Sequence, residues 1–407
     1  MHSSVTSGAR DRTGNDPIFI WNAEAKRRAA AGESVVNATI GALMHDDGRL
    51  CTLPTVLETF RGYVGEQAAG YALISGIPTF REAVVHDLFG DGPLASQATA
   101  VAAPGGSGAV YQAVVNFLEP GQKMLVPNFF WGPYLAITTH SGRGLDPFPM
   151  FTPDGSFNLE GMEAGLDRHL ADQGRALLVL NFPCHNPTGY TLSAEEWRQV
   201  SDIVARAGAR GPVTVLLDVA YMEFGGEAAR SWLDHVPDLM ENATVLVAWT
   251  ASKSMAQYGA RVGAIVGLHR DADELSQMDN AFGFTCRATW SNCNHLGQLA
   301  VTDLLTKPDL VDRVTSERAA ISALLQSRID AFNEYATRVA LPTPRFDAGF
   351  FVSVFTPDQD ATAKAMRELG VYTVPIGGAV RVALCSTPES AIPRVVEALE
   401  AGIAAAV

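Results

Sequence analysis

The chain has 407 residues and a formal net charge of -14, with 47% hydrophobic and 18% charged residues. Its length exceeds one ordinary core, so two domains are expected, and its composition excludes extended disorder. The acidic balance argues against a nucleic-acid partner, and no apolar run reaches the roughly 18 residues that span a bilayer, so no membrane partner is expected.

Residues 1–16 are rich in Ser, Thr and Gly, lack an apolar signal core and read as a flexible arm. A helix is predicted over Ile20–Ala31 and a short strand over Ser34–Ile40, ending at Gly41. From about residue 54 to 310, apolar strands alternate with amphipathic helices. The predicted strands include Lys123–Val126, Ala176–Asn181, Val213–Asp218 and Thr244–Trp249. The helices include Tyr111–Leu118 and Ala194–Ala207, the latter opened by a capping box of Ser193 and Glu196. Near-continuous apolar strands separated by helices predict an α/β fold with a mostly parallel sheet covered on both faces. The run Leu341-Pro342-Thr343-Pro344 interrupts the alternation. A strand over Phe350–Phe355, a helix over Ala361–Leu369, a strand over Val380–Leu384 and a helix from Ala391 then make a smaller α/β unit.

Cysteines 51, 184, 286, 293 and 385 are scattered, odd in number and form no C-x-x-C pair, and the histidines show no ligand spacing. A reduced, cytoplasmic protein without a metal is expected.

Ligands in open α/β sheets sit outside the carboxyl ends of strands. Asn186, Asp218 and Lys253 each fall at or just after such an end. Lys253 lies in Thr250-Ala251-Ser252-Lys253, with Arg261 eight residues on; Asp218-Val219-Ala220-Tyr221 and His185-Asn186-Pro187-Thr188-Gly189 lie upstream. Amine, acid, phenol and guanidinium at these positions are the inventory that holds pyridoxal phosphate: a bond to the aldehyde, a partner for the pyridine nitrogen, a donor to the ring oxygen and a grip on the phosphate. Each residue alone has a plainer reading. Lys253 could be a surface lysine, Asp218 a helix cap and Tyr221 a core tyrosine.

Pro104-Gly105-Gly106-Ser107-Gly108 precedes an apolar helix and offers backbone amides to a phosphate, although it completes neither G-x-G-x-x-G nor G-x-S-x-G. Trp131 could stack on a ring or fill the core. Arg381, opening a late apolar strand, suits a substrate α-carboxylate or an internal ion pair. Arg287 suits a distal carboxylate or solvent equally.

On these residues the chain resembles the class I aminotransferases of pyridoxal-phosphate fold type I, in the aspartate/aromatic branch, from about Asp16 to the end. Asn37-Ala38-Thr39-Ile40-Gly41, Asp46-Asp47-Gly48 and Tyr71 with Ile74-Ser75-Gly76 extend the likeness into the N-terminal half. The resemblance implies a large domain over 51–310, a small domain from 17–50 and 311–407, and a homodimer with shared active sites. It implies Lys253 as the cofactor-bearing lysine and proton shuttle, Asp218 on the pyridine nitrogen, Asn186 and Tyr221 on the ring oxygen, and Trp131 stacked on the ring. Gly106, Ser107, Thr250 and Arg261 would hold the phosphate, joined by Tyr71 from the partner subunit. Arg381 would take the α-carboxylate near Gly41, and Arg287, also from the partner, a side-chain carboxylate.

Several positions depart from the aspartate pattern. Tyr134 stands where the branch has a histidine, Leu43 and Trp290 where it has tyrosines, and Cys293-Asn294 where it has a proline pair. Ser107 and Thr250 exchange one hydroxyl residue for another. These departures predict an intact cofactor site and an altered substrate wall.

The expected reaction is ping-pong transfer of an amino group from an L-amino acid (aspartate, glutamate or aromatic) to a 2-oxo acid such as 2-oxoglutarate. The alternative is another outcome on the same cofactor: a β-decarboxylase, a β-lyase, a cyclopropane-forming synthase or a specialised biosynthetic transaminase. A ligand sensor fused to a DNA-binding domain is not expected, since the first 50 residues hold no room for a winged helix and the charge is acidic. A serine hydrolase using Ser107, Asp218 and His295 leaves Lys253, Arg261 and Arg381 unexplained.

Overall fold

The computed structural model describes residues 3–10, 12, 17–346 and 348–407. Part of the expected arm therefore lies outside the described residues; within it, Ser7–Arg10 forms one helical turn.

The strands run in chain order as β1 (Val36–Asn37), β2 (Ala98–Ala103), β3 (Lys123–Pro127), β4 (Gly144–Phe148), β5 (Ala176–Leu180) and β6 (Val213–Asp218). They continue as β7 (Thr244–Thr250), β8 (Gly263–Leu268), β9 (Phe351–Phe355), β10 (Val371–Tyr372), β11 (Val374–Ile376) and β12 (Ala379–Ala383). Among the described residues, β2 to β8 form a seven-stranded sheet in the order β2-β8-β7-β6-β5-β3-β4. Only β8 within it runs antiparallel to its neighbours. β9, β11 and β12 form an antiparallel sheet, and β1 pairs in parallel with β10.

The apolar runs explain the layering. Every residue of β5, β6 and β8 is buried, so both sheet faces are covered. Leu177, Val179, Leu216, Leu246 and Ile265 face one core with Ala109, Val110, Ala113 and Val114 of the helix Gly105–Phe117. Leu178, Leu180, Val215, Leu217 and Val247 face the other core, with Trp197, Val200 and Val204 of the helix Ala194–Gly208. Each such side chain contributes about 1.5–3 kcal/mol relative to exposure.

The capping box forms as the spacing predicts: Ser193 Oγ accepts from the Glu196 amide at 3.2 Å, and Glu196 Oε2 accepts from the Ser193 amide at 2.7 Å. The helix predicted from Tyr111 begins six residues earlier, at Gly105. The predicted strand Ser34–Ile40 is reduced to the two residues of β1. The Leu341–Pro344 break follows a 31-residue helix, Pro308–Arg338, that joins the seven-stranded sheet to the later strands.

Candidate active site

The carboxyl ends of the parallel strands set the site. Asp218 closes β6, Thr250 closes β7 and leads into the Lys253 turn, Asn181 follows β5, and the helix Gly105–Phe117 starts right after β2. Their ends converge on a cleft of about 620 Å³ lined by Gly106, Ser107, Trp131, Asn186, Asp218, Tyr221, Thr250, Lys253 and Arg261. Asn181, Ala220, Ser252 and Tyr258 complete the lining.

At one end, Arg261 donates to the Pro104 carbonyl at 3.1 Å and the Tyr258 carbonyl at 3.0 Å. Its backbone φ of 54° is left-handed, a strained conformation that the two carbonyl contacts help maintain. A Cβ at Gly105 would collide with this guanidinium, and Gly105 itself has φ of 72°. Glycine is therefore required twice over, and its absent side chain leaves the guanidinium beside the helix N-terminus, a pairing suited to an anion.

At the other end, Asp218 is buried, and burial raises its pKa. Hydrogen bonds oppose that rise: Tyr134 donates to Oδ2 at 2.7 Å and the Ala220 amide to Oδ1 at 3.4 Å. Tyr134 therefore sits behind the acid and not on the substrate wall. Its departure from the branch pattern therefore falls beside Asp218. Asn181 donates to the Asp218 carbonyl at 2.8 Å and accepts from the Asn186 amide at 2.8 Å, so one side chain sets two site residues. Asn186 in turn donates to the Tyr221 hydroxyl at 3.2 Å.

Lys253 lies between these ends. Burial pulls its pKa from 10.5 down to about 8, with Arg381 and Arg261 adding to the fall. Its Nζ donates to the Gly41 carbonyl at 2.5 Å and lies 4.6, 5.4 and 5.5 Å from the ring centres of Tyr258, Phe350 and Tyr221. Tyr258 also accepts from the Leu43 amide at 3.0 Å, which fixes the loop carrying Gly41. Arg381 adjoins from β12. It donates to the Thr39 carbonyl at 2.8 Å and to Asn186 Oδ1 at 3.4 Å, and lies 4.3 Å over the Phe351 ring.

Two predicted site residues stand apart from this cleft. Tyr71 is 92% exposed. Arg287 is exposed at the end of the helix Ala272–Thr289, its guanidinium on Ser291 Oγ at 2.7 Å. The hydrolase alternative finds no support, because His295 faces the Gly70 carbonyl at 2.9 Å and Asp218 is engaged by Tyr134.

Sequence reasoning missed Asn181, Ser252 and Tyr258. A lone asparagine ending an apolar strand, and two hydroxyl residues flanking Lys253 and preceding Arg261, were the signals available.

Comparison with known proteins agrees with this geometry. Residues 33–399 match the family of class I and II aminotransferases. The aromatic-amino-acid aminotransferase of Paracoccus denitrificans is 28% identical over 83% of this chain and 85% of its own length. The aspartate aminotransferase of Pseudomonas aeruginosa is 24% identical over 94% of this chain and 96% of its own. A solved aminotransferase from Anaerococcus prevotii superposes with a TM-score of 0.93 at 29% identity, covering 99% of this chain and 100% of that one. The aromatic-amino-acid aminotransferase of Burkholderia pseudomallei, solved covalently bound to pyridoxal phosphate, shares the fold with a TM-score of 0.82 at 24% identity over 98% and 100% of the two chains. Anion cradle, half-buried lysine and buried acid, in that order along one cleft, fit that cofactor. The chain belongs to the class I and II aminotransferases, enzymes that use pyridoxal phosphate to move an amino group between an amino acid and a 2-oxo acid.

Proposed function

We propose that this chain is a cytoplasmic, homodimeric transaminase of L-amino acids in which at least one substrate is a dicarboxylate. The observation that carries the reading is Lys253, with its lowered pKa, set between the Asp218 carboxylate and the Arg261 cradle in one cleft.

Bound pyridoxal phosphate supplies an aldehyde that bonds amines and a ring that draws electrons from the substrate Cα. The chain's own residues do the rest. Lys253, its pKa lowered to about 8, would hold the cofactor through its amine and, once free, would carry the substrate Cα proton. Asp218 would pair with the pyridine nitrogen and keep it protonated. Asn186 and Tyr221 would serve the ring oxygen, and Trp131 would cover the ring face. Gly106, Ser107, Thr250 and Arg261 would hold the phosphate, with Tyr71 of the partner subunit. Arg381, already oriented by Thr39, Asn186 and Phe351, takes the substrate α-carboxylate beside Gly41. Arg287 of the partner subunit takes the side-chain carboxylate.

The dimer reading is supported by an apolar surface of Tyr71, Leu73 and Ile74 with Phe284, the last 76% exposed. Cys286 donates to the Ile74 carbonyl at 2.9 Å and so joins this turn to the helix that ends near Arg287. The division into 51–310 and 17–50 with 311–407 is part of the same reading, supported by the β1–β10 pairing. Five unbonded cysteines support the cytoplasm, and no described helix is long and apolar enough to cross a membrane.

The test compares L-aspartate and L-phenylalanine as donors to 2-oxoglutarate in the wild type and in Arg287→Ala. The expected result is a loss of about a hundredfold in kcat/KM for aspartate, with phenylalanine little changed. Unchanged aspartate turnover would refute the dicarboxylate assignment, and release of ammonia or carbon dioxide in place of a 2-oxo acid would refute transamination.

A further inference from the structure

We propose that Tyr134 is the positioning residue of the cofactor site, holding Asp218 ionised and aimed at the pyridine nitrogen while bracing Trp131 against the ring; this rests on the transaminase reading above.

Two independent contacts carry it. The phenol of Tyr134, itself buried, donates to Asp218 Oδ2 at 2.7 Å. The other hydrogen bond to this carboxylate, from the Ala220 amide to Oδ1, is long at 3.4 Å. The tyrosine ring also meets Trp131 edge to face, with centres 5.4 Å apart and planes at 89°. Both contacts come from the single turn in which the loop after β3 becomes the helix Pro133–His140.

A buried carboxylate loses hydration and tends to take up a proton. A protonated Asp218 could not hold a proton on the pyridine nitrogen. The short phenolic bond favours the ionised form, and it occupies Oδ2, so that Oδ1 is the oxygen left for the cleft. Burial and the neighbouring Asp218 push the Tyr134 phenol well above its ordinary pKa, so it stays a donor throughout the working pH range. A histidine in this place would change charge near pH 6.5, whereas a phenol holds Asp218 in a pH-independent way.

Tyr134→Phe keeps the ring edge on Trp131 and removes only the donor. The direct readout is the nitrogen-15 chemical shift of ring-labelled pyridoxal phosphate bound to each protein. The wild type should show a protonated nitrogen across about pH 6–9, and Tyr134→Phe a shift towards the unprotonated form. The dissociation constant for the cofactor should rise roughly tenfold, the worth of one hydrogen bond to a charged group. Tyr134→Leu, which also removes the edge contact, should in addition broaden or shift the visible band. A Tyr134→Phe protein with the wild-type nitrogen shift and cofactor affinity would overturn the proposal. Should that variant not fold, the wild type decides: an exchange-protected downfield phenolic proton assigned to Tyr134 is expected, and its absence overturns the proposal. A wild type that binds no cofactor would instead overturn the transaminase reading itself.

Discussion

Replacing Lys253 with methionine should stabilise the cofactor-free protein, and the gain should depend on pH in one direction only. Burial places the Lys253 pKa near 8, against 10.5 in the unfolded chain. Each pH unit in that interval is worth about 1.4 kcal/mol, so the buried ammonium costs about 3 kcal/mol once pH is below 8. That figure is a ceiling, because the side chain is only partly screened from cleft water. The Gly41 carbonyl and the three aromatic rings around Nζ already offset part of the desolvation. The folded pKa is the depressed one, so wild-type stability is fullest above 10.5 and is lost as pH falls to about 8. Lys253→Met has no such proton to take up. Urea unfolding of both proteins, stripped of cofactor and at equal concentration, would be measured at about pH 6, 8 and 9.5. The variant's advantage should be largest at pH 6, little smaller at 8, and clearly reduced at 9.5. A difference that stays flat across this range would refute the assignment of Lys253 as a buried, easily deprotonated amine.

Gly105→Ala should weaken cofactor binding by at least tenfold, since the new Cβ must displace the Arg261 guanidinium and the backbone must hold φ of 72°; titration of the stripped protein with pyridoxal phosphate checks this. Arg381→Ala should lower kcat/KM for every amino acid by about 10²-fold or more while leaving the cofactor band in place, because the α-carboxylate is common to all of them. Ser193→Ala should cost about 1 kcal/mol of stability with no change in turnover, being a helix cap remote from the cleft, as denaturant midpoints would show.

Much of the site could be read before any coordinates. The spacing of Lys253 and Arg261 and the acid closing an apolar strand follow from local sequence, because strand ends and the turns after them are local events. Partnerships across the chain were not legible. Tyr134 meets Asp218 from 84 positions away, and Tyr258 reaches Leu43 from 215 positions away. No periodicity encodes either contact, so the sequence alone does not show that Tyr134 lies against Asp218. The helix start at Gly105 was hidden by composition. Glycines 105, 106 and 108 are poor helix formers, yet a Cβ at Gly105 would collide with the Arg261 guanidinium and one at Gly108 with the Pro104 ring. Tyr71 and Arg287 illustrate the opposite case: single residues whose sequence context marks them out, but whose surroundings in one chain are solvent.

The central claim is that Lys253 carries the cofactor. The most direct test is to saturate the protein with pyridoxal phosphate, reduce it with borohydride and locate the added mass by peptide mass spectrometry. The account predicts a yellow protein before reduction and one pyridoxyl group per chain on the peptide containing Lys253, with none in Lys253→Met. Label on another lysine, or a protein that takes up no cofactor, would contradict it.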